Sequence, residues 1–222
     1  MGYLTEAAGP TRSSTLYPFS TTVELQDDFM LGGTGDGSIG ALGWGSGGTV
    51  TTVPGQSNRP GIYNFATGAV LGTIARINMS GGIPLSLADT HRVTWIYRLV
   101  TNDANTTFRI GSSSSWVGLP PTHGIYLEKL DGDTNWFCVA RASGVQTRID
   151  TGIAVNTSFH TMSYVRNSSG VQFLFDNLNV GDLITTNIPT STGGAGAMIV
   201  NSAAASKSFD VDYAQIILAV AR

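Results

Sequence analysis

Residues 124–180 read GIYLEKLDGDTNWFCVARASGVQTRIDTGIAVNTSFHTMSYVRNSSGVQFLFDNLNV and contain three β-hairpin arms in close succession. Short runs of β-branched and aromatic residues alternate here with Gly, Asn, Asp and Ser, which is the pattern of antiparallel strands joined by tight turns. Met162 and Tyr164 fall on one face of their strand, while Thr161 and Ser163 fall on the other. We therefore predict the strands Gly124–Lys129, Trp136–Ala142, Val145–Ile149, Phe159–Arg166 and Val171–Asp176.

The same pattern continues on both sides of this stretch, and no window has the apolar spacing of a long helix. The run HRVTWIYRLV at 91–100 alternates strongly, with Trp95 and Tyr97 on one face. Further strands are predicted at 23–29, 48–53, 62–65, 71–79, 85–87, 106–111, 183–188, 197–201 and in the closing run from Phe209. In the closing run we place Asp210 and Asp212 on the polar face. About a dozen strands separated by turns indicate an all-β sandwich or jelly roll, with a core that contains Trp95, Phe108, Phe137, Phe159, Phe173 and Phe175.

The composition is that of a polar protein with little charge. Charged residues make up 12%, the net charge is −3 and there is no basic run, so we do not expect a nucleic-acid partner. The C-terminal AQIILAVAR is too short to span a bilayer, and no membrane insertion is expected. Cys138 is the sole cysteine, which excludes an intrachain disulfide and favours a buried structural thiol.

The chain divides into an N-terminal arm, residues 1–22, and one β-sandwich domain, residues 23–222. The arm carries Gly9-Pro10 and Pro18 and has no periodicity long enough for a core element. Such a segment is ordered, if at all, by contact with a partner, and we expect it to mediate attachment or oligomer contact.

Several segments resemble a family of tailed-bacteriophage virion proteins built on the concanavalin A-like lectin/glucanase jelly roll. The similar segments include NRPGIYNFATGA, the Arg-x-Asp-x-Gly-x-Ala-Val run at Arg148–Val155 and the Asp-x-Asp-Tyr run at Asp210–Tyr213. The resemblance covers residues 23–222. It implies a concanavalin A-like jelly-roll β-sandwich of two antiparallel sheets behind an extended N-terminal arm.

The resemblance also implies a virion structural protein, either a capsid decoration, a head fibre or a tail component, displayed on the virion surface after synthesis in the host bacterial cytoplasm. Its expected partners are other virion proteins, bound through the arm, and further copies of itself, with a trimer as one option. The alternative is a receptor-binding module that recognises host surface polysaccharide.

Enzymatic activity is not expected from the sequence. Glucanases of this fold carry Glu-x-Asp-x-Glu, or the same run with one more spacer, on one strand, so that two carboxylates flank the scissile bond. The chain has three glutamates and no such run, and Glu128 stands alone in its strand. The sequence therefore predicts a non-enzymatic protein.

Glycan binding would need aromatic rings for stacking and polar side chains for the sugar hydroxyls. Trp116, in a Ser-rich loop, and Trp136, at the start of a strand, are the aromatic candidates, with Tyr126 and Arg148 beside them. The alternative is that both tryptophans fill the ends of the sandwich, because large aromatic residues are mostly buried.

A calcium site is a weaker possibility, and otherwise no cofactor is expected. Asp131, Asp133 and Asn135, in DGDTN, place oxygen ligands two residues apart, as in the loops of legume-type lectins. A solvated hairpin turn explains the same residues more simply, since Asp-Gly is a strong turn former.

Overall fold

A computed structural model describes residues 22–30, 33–34, 39–54, 59, 61–79, 84–117 and 120–219. These ranges contain sixteen strands and no helix that could cross a membrane. The strands are β1 (Thr22–Asp27), β2 (Gly45–Gly47), β3 (Thr49–Val53), β4 (Ile62–Ala66), β5 (Ile74–Asn78), β6 (Leu85–Ser86), β7 (His91–Leu99), β8 (Thr106–Ser113), β9 (Gly124–Lys129), β10 (Asn135–Ala142), β11 (Val145–Ala154), β12 (His160–Asn167), β13 (Gly170–Phe175), β14 (Leu178–Ile184), β15 (Thr192–Asn201) and β16 (Ser208–Ala219).

The strands form two antiparallel sheets that pack face to face. The first sheet has the order β14-β13-β12-β7-β16-β4-β3, with β1 also paired to β16. The second sheet has the order β11-β10-β9-β8-β15-β5-β2, with β6 also paired to β15. This is the predicted sandwich of two antiparallel sheets. The predicted arm lies outside the described residues except for Thr22, which already belongs to β1.

Aromatic rings fill the space between the sheets. Tyr97 of the first sheet stacks on Phe108 of the second, with ring centroids 5.4 Å apart. Trp136 meets both rings edge-on, at 5.7 Å from Tyr97 and 5.9 Å from Phe108. Such pairs add stability beyond the apolar area that they bury. The core predictions for Trp95, Phe108, Phe173 and Phe175 are confirmed, as all are buried.

The core predictions for Phe137 and Phe159 are wrong, because both side chains are only half-buried and lie next to arginines. The Arg148 guanidinium lies 3.4 Å from the centroid of the Phe137 ring. Phe159 lies beneath two guanidinium groups, those of Arg59 at 4.3 Å and Arg98 at 4.7 Å. Cation–π attraction therefore holds these rings on the outside of the sandwich.

A hydrogen-bonded chain of buried polar groups links the two sheets. His91 Nε2 lies 3.0 Å from the Tyr164 hydroxyl, which lies 2.6 Å from Ser112 Oγ across the sandwich. The other ring nitrogen, Nδ1, lies 2.8 Å from the Asp89 carbonyl oxygen. Burial lowers the pKa of His91 to about 4, so the imidazole is neutral at pH 7.

Both lysines of the chain are buried against the loop that joins β7 to β8. Lys129 Nζ donates to the carbonyl oxygens of Asp103 and Thr106, each at 2.9 Å. Lys207 Nζ forms an ion pair with the Asp103 carboxylate. Lys129 at the end of β9 and Lys207 just before β16 thus both bind the loop between β7 and β8. Burial lowers the pKa of Lys129.

Two strands near the C-terminus differ from the prediction. A strand was predicted at 183–188, but β14 begins at Leu178, because Asp176 and Asn177 turn the chain with φ of 49° and 68°. In β16 the register shifts between Val211 and Tyr213. This β-bulge adds one residue to the strand and so changes which face the following side chains occupy.

Candidate functional site

The outer face of the second sheet carries an ion-pair network at its centre. Arg109 Nε donates to Glu128 Oε1 at 2.8 Å, and Arg148 Nε donates to Glu128 Oε2 at 2.9 Å. A second nitrogen of Arg148 binds the Asp133 carboxylate. The side chains of Arg109 and Glu128 are only 3% and 2% exposed. We call Arg109, Glu128, Arg148 and Asp133 the ion-pair network.

Strand pairing explains why these residues meet. Arg109 of β8 pairs with Glu128 of β9, which pairs with Phe137 of β10, so the three side chains form one row across the sheet. Arg148 of β11 belongs to the neighbouring row but reaches Glu128 across the Phe137 ring. The network therefore depends on register between four strands, which the sequence alone does not reveal.

Two aromatic rings pack directly against glycines of the same face. A Cβ at Gly196 would lie 2.7 Å from both Cε2 and Nε1 of Trp116, so the indole occupies the space of a missing side chain. The indole Nε1 also donates to the Gly194 carbonyl oxygen at 3.1 Å. In the same way, a Cβ at Gly124 would lie 2.8 Å from the ring of Tyr126. These glycines let rings approach the sheet as closely as backbone permits.

A polar pocket of about 280 Å³ adjoins Trp116. We call it the serine pocket, and it is lined by Arg76, Asn78, Met79, Ser113, Ser114, Ser115, Trp116, Val117 and Gly194. Arg76 and Asn78 alternate with buried Ala75 and Ile77 in β5, which places the two polar side chains on the outer face. No carboxylate is among the lining residues that the structure describes.

Arg76 is held in place but is not fully satisfied. One of its terminal nitrogens donates to the Trp116 carbonyl oxygen at 3.3 Å. Its Nε is buried and has no hydrogen-bond partner within the described part of the chain. Neither Arg76 nor Asn78 was predicted from the sequence as a site residue. The alternation in IARIN could have placed them on an outer face, but not beside Trp116.

The structure changes the interpretation of the predicted glycan-binding residues. Trp136 points into the core and is fully buried, so the alternative, a tryptophan that fills the sandwich, holds for it. Tyr126 lies on the outer face but is fully covered, and burial raises the pKa of its hydroxyl to about 12. Trp116 is 6% exposed, and Arg148 is bound to two carboxylates. Trp116 therefore lines a pocket, whereas the other three residues have structural contacts.

Two of the three predicted calcium ligands, Asp133 and Asn135, have partners within the chain. Asp133 accepts from the Leu130 amide at 2.7 Å and binds Arg148. Asn135 donates to Asp150, and Asp131 lies on an exposed turn. Within the described ranges, no group of three His, Cys, Asp or Glu side chains could hold a metal ion. The contact between Leu130 and Asp133 is that of a hairpin turn, whereas Arg148 and Asp150 belong to strand β11.

Comparison with solved structures shows the fold. A Shewanella oneidensis MR-1 protein of unknown function matches with a TM-score of 0.69 and 15% identity, over 90% of this chain and 89% of that chain. The carbohydrate recognition domain of Emp47p matches at 0.60 and 12%, over 89% and 95%. A Bacillus licheniformis β-glucanase matches at 0.60 and 12%, over 87% and 97%. The chain thus has the concanavalin A-like lectin/glucanase jelly roll. No protein-family model and no curated protein matches it.

The same comparison contradicts the expectation of a non-enzymatic protein. Besides the β-glucanase, a Crh5 transglycosylase and a Thermotoga petrophila laminarinase share the fold. The missing Glu-x-Asp-x-Glu run therefore does not exclude enzymatic activity. It was the wrong criterion, because carboxylates from different elements can meet on one face, as Glu128 and Asp133 do around Arg148.

Proposed function

We propose that this chain is a carbohydrate-binding jelly roll and that the serine pocket on its second sheet holds part of a glycan. The pocket combines an indole ring, an amide and several hydroxyls, which is the chemistry that sugar rings and their hydroxyls require. The carbohydrate recognition domain of Emp47p and the β-glucanase have the same fold. Since fold alone does not establish function, the pocket itself carries the proposal.

Arg76 is the observation on which the proposal chiefly rests. Its side chain lines the pocket and is positioned there by the hydrogen bond from one terminal nitrogen to the Trp116 carbonyl oxygen at 3.3 Å. Because no described carboxylate lines the pocket, the guanidinium is also available to an acidic group of a glycan. We therefore expect stronger binding to polysaccharides with carboxylate or sulfate groups than to neutral ones.

The test is a binding measurement on full-length protein with a polysaccharide panel containing alginate, carrageenan, laminarin and xylan. Arg76→Gln should weaken binding of the anionic polysaccharides at least about tenfold, because hydrogen bonds to charged groups contribute about 1.5–3 kcal/mol. Arg141→Gln is the matched control, since Arg141 lies on the same face but binds Gln146 outside the pocket. Equal affinities of Arg76→Gln and the wild type, or no binding by the wild type, would reject the proposal.

Glycan cleavage is the second candidate function. Arg148 binds the carboxylates of both Glu128 and Asp133, so the two groups lie next to the same guanidinium. Glycosidases use two carboxyl groups about 5–9.5 Å apart. Release of reducing sugar from the panel, lost in Asp133→Asn while binding persists, would support cleavage. If the wild type binds a polysaccharide but releases no reducing sugar, this candidate fails.

We also propose a virion-surface setting, with attachment through residues 1–22 and self-association. Its support is the resemblance at Arg148–Val155 and Asp210–Tyr213 alone, and the solved structures named above add none. Co-sedimentation with purified particles tests it directly. A monomer that never co-sediments would overturn this setting without affecting the glycan site.

A further inference from the structure

The outer face of the first sheet contains a wide depression of about 470 Å³. We call it the first-sheet depression. Its described lining is Gln26, Arg92, Thr94, Ile96, Thr161, Asn177, Tyr213 and Gln215. It crosses β1, β16, β7 and β12, which are neighbours in the sheet, so its width is about 15 Å at roughly 4.8 Å per strand. It lies on the opposite side of the sandwich from the serine pocket.

The β-bulge in β16 provides the aromatic ring of this depression. Without the extra residue, Tyr213 would share the core-facing side of Val211, as strict alternation requires. The register shift instead pairs Tyr213 with Ile96, whose side chain faces outward, while Ala214 takes the core position. Bulges that re-aim a side chain occur often beside functional sites. The predicted polar face of Asp210 and Asp212 therefore holds only for the first half of the strand.

The described lining of the depression is polar, and Arg92 is its one charged side chain, although the Gln215 amide also donates to the carboxylate of Glu24 outside the lining. Gln26, Gln215 and Thr94 form one row across three paired strands, and Ser163 continues that row into β12. Thr94 Oγ1 lies 2.9 Å from Ser163 Oγ, while the Tyr213 hydroxyl donates to Gln26 at 3.1 Å. Amides and hydroxyls arranged in this way can both donate to and accept from the hydroxyls of a ligand.

Arg92 is the one charged side chain in the described lining. Its terminal nitrogen donates to Ser163 Oγ at 3.3 Å, and its Nε is buried without a partner in the described ranges. A single guanidinium beside many neutral groups does not match a nucleic acid or another polyanion. Ile96 is the only aliphatic side chain in that lining, which gives a protein partner little apolar area to bury.

We propose that the first-sheet depression is a second ligand site, which binds a neutral oligosaccharide lying across β1, β16, β7 and β12. The Tyr213 ring stacks on one sugar, and the row of Gln26, Gln215 and Thr94 hydrogen-bonds the hydroxyls of its neighbours. The ligand differs in charge from the one expected in the serine pocket. Two sites on opposite sides allow one molecule to bind two glycan chains at once.

The test is calorimetric titration of full-length protein with neutral hexasaccharides: laminarihexaose, cellohexaose, maltohexaose and xylohexaose. At least one should bind, and Tyr213→Ala should weaken it about tenfold through loss of the stacked ring. Tyr213→Phe keeps the ring and should retain most of the affinity. Gln172→Ala is the matched control, because Gln172 lies on the same sheet but outside the depression.

The variants on the two sides separate this inference from the proposed function. Arg76→Gln should leave hexasaccharide binding unchanged, and Tyr213→Ala should leave binding at the serine pocket unchanged. If no hexasaccharide binds at millimolar concentration, the inference is wrong even when the anionic polysaccharides bind. Equal affinities of Tyr213→Ala and the wild type overturn it as well. If Tyr213→Ala does not fold, Gln26→Ala is tested in its place. Gln26→Ala should weaken hexasaccharide binding severalfold, and an unchanged affinity would overturn the inference.

Discussion

The two outer faces of the sandwich use their polar residues in opposite ways. At the centre of the second sheet, Arg109 and Arg148 form ion pairs with Glu128, and the network is largely shielded from solvent. On the first sheet, Gln26 is exposed and Gln215 and Tyr213 are half-buried, and most residues that line the depression carry no charge. Polar residues on an outer face of the sandwich can therefore have one of two roles. A network closed within the chain contributes to stability, whereas open hydrogen-bonding groups are available to a ligand.

The largest expected effect is on the closed network. Glu128→Gln should lower the free energy of unfolding by about 3–5 kcal/mol, because two arginines would remain with one carboxylate fewer in a buried site. Urea unfolding followed by tryptophan fluorescence measures this change. Asp150→Asn, on the same face but exposed, is the control and should change stability by less than about 0.5 kcal/mol. Similar losses of stability in Glu128→Gln and Asp150→Asn would show that the buried ion pairs of the network do not stabilise the fold.

The second effect is a pH dependence of stability due to His91, which belongs to the hydrogen-bonded chain between the two sheets. Its pKa is about 4 in the folded chain, below the usual 6.5, so the unfolded chain binds the extra proton first as pH falls. Stability should therefore be full above pH 6.5 and fall by about 3 kcal/mol between pH 6.5 and pH 4. The measurement is the urea midpoint of the wild type and His91→Gln across this range. A wild-type decline no steeper than that of the variant would exclude this role.

A third, smaller effect is expected where Trp116 lies on the second sheet. Gly196→Ala should cost about 1–3 kcal/mol, since the new methyl group would clash with the indole and with the Ile77 carbonyl oxygen, each 2.7 Å from its position. Gly194→Ala is a matched control two residues away, where the nearest atom to a Cβ is 3.6 Å distant. Chemical denaturation compares the two variants. Gly196→Ala should also weaken binding at the serine pocket, whereas Gly194→Ala should change stability by less than about 0.5 kcal/mol.

The smallest effect is expected on the open face. Gln215→Ala should change the free energy of unfolding by less than about 0.5 kcal/mol, because its side chain is half-exposed and supports no core contact. The same variant should reduce hexasaccharide binding in the titration described above. A large loss of stability would show that the first-sheet face is as closed as the second, and the comparison would fail.

Much of the fold followed from the sequence, because alternation with period two is a local signal. The strand Gly124–Lys129 has the predicted bounds, and Trp95 and Tyr97 share the core face of β7 as expected. The start of β14 was not predicted, although the sequence signal for it is also local. Asp176-Asn177 is a pair that favours the left-handed conformation of a two-residue hairpin turn, and both residues adopt it.

The sites were harder to predict, because they depend on relations that alternation does not encode. The β-bulge at Asp212 changes which face of the sheet the following residues of β16 occupy, and no residue type in the sequence indicates this bulge. Trp116 approaches the sheet only because Gly196, eighty residues later in the chain, leaves room for it. The position of an aromatic residue in a loop or strand therefore suggested a binding role, but burial and register decided it.

The two buried lysines have a practical consequence for chemical labelling. Lys129 and Lys207 are 1% and 2% exposed, and the chain has no other lysine. Succinimidyl esters and other amine-directed reagents should therefore react poorly with both lysine side chains of the folded chain. Trypsin acting on the folded chain would likewise have arginines as its accessible targets.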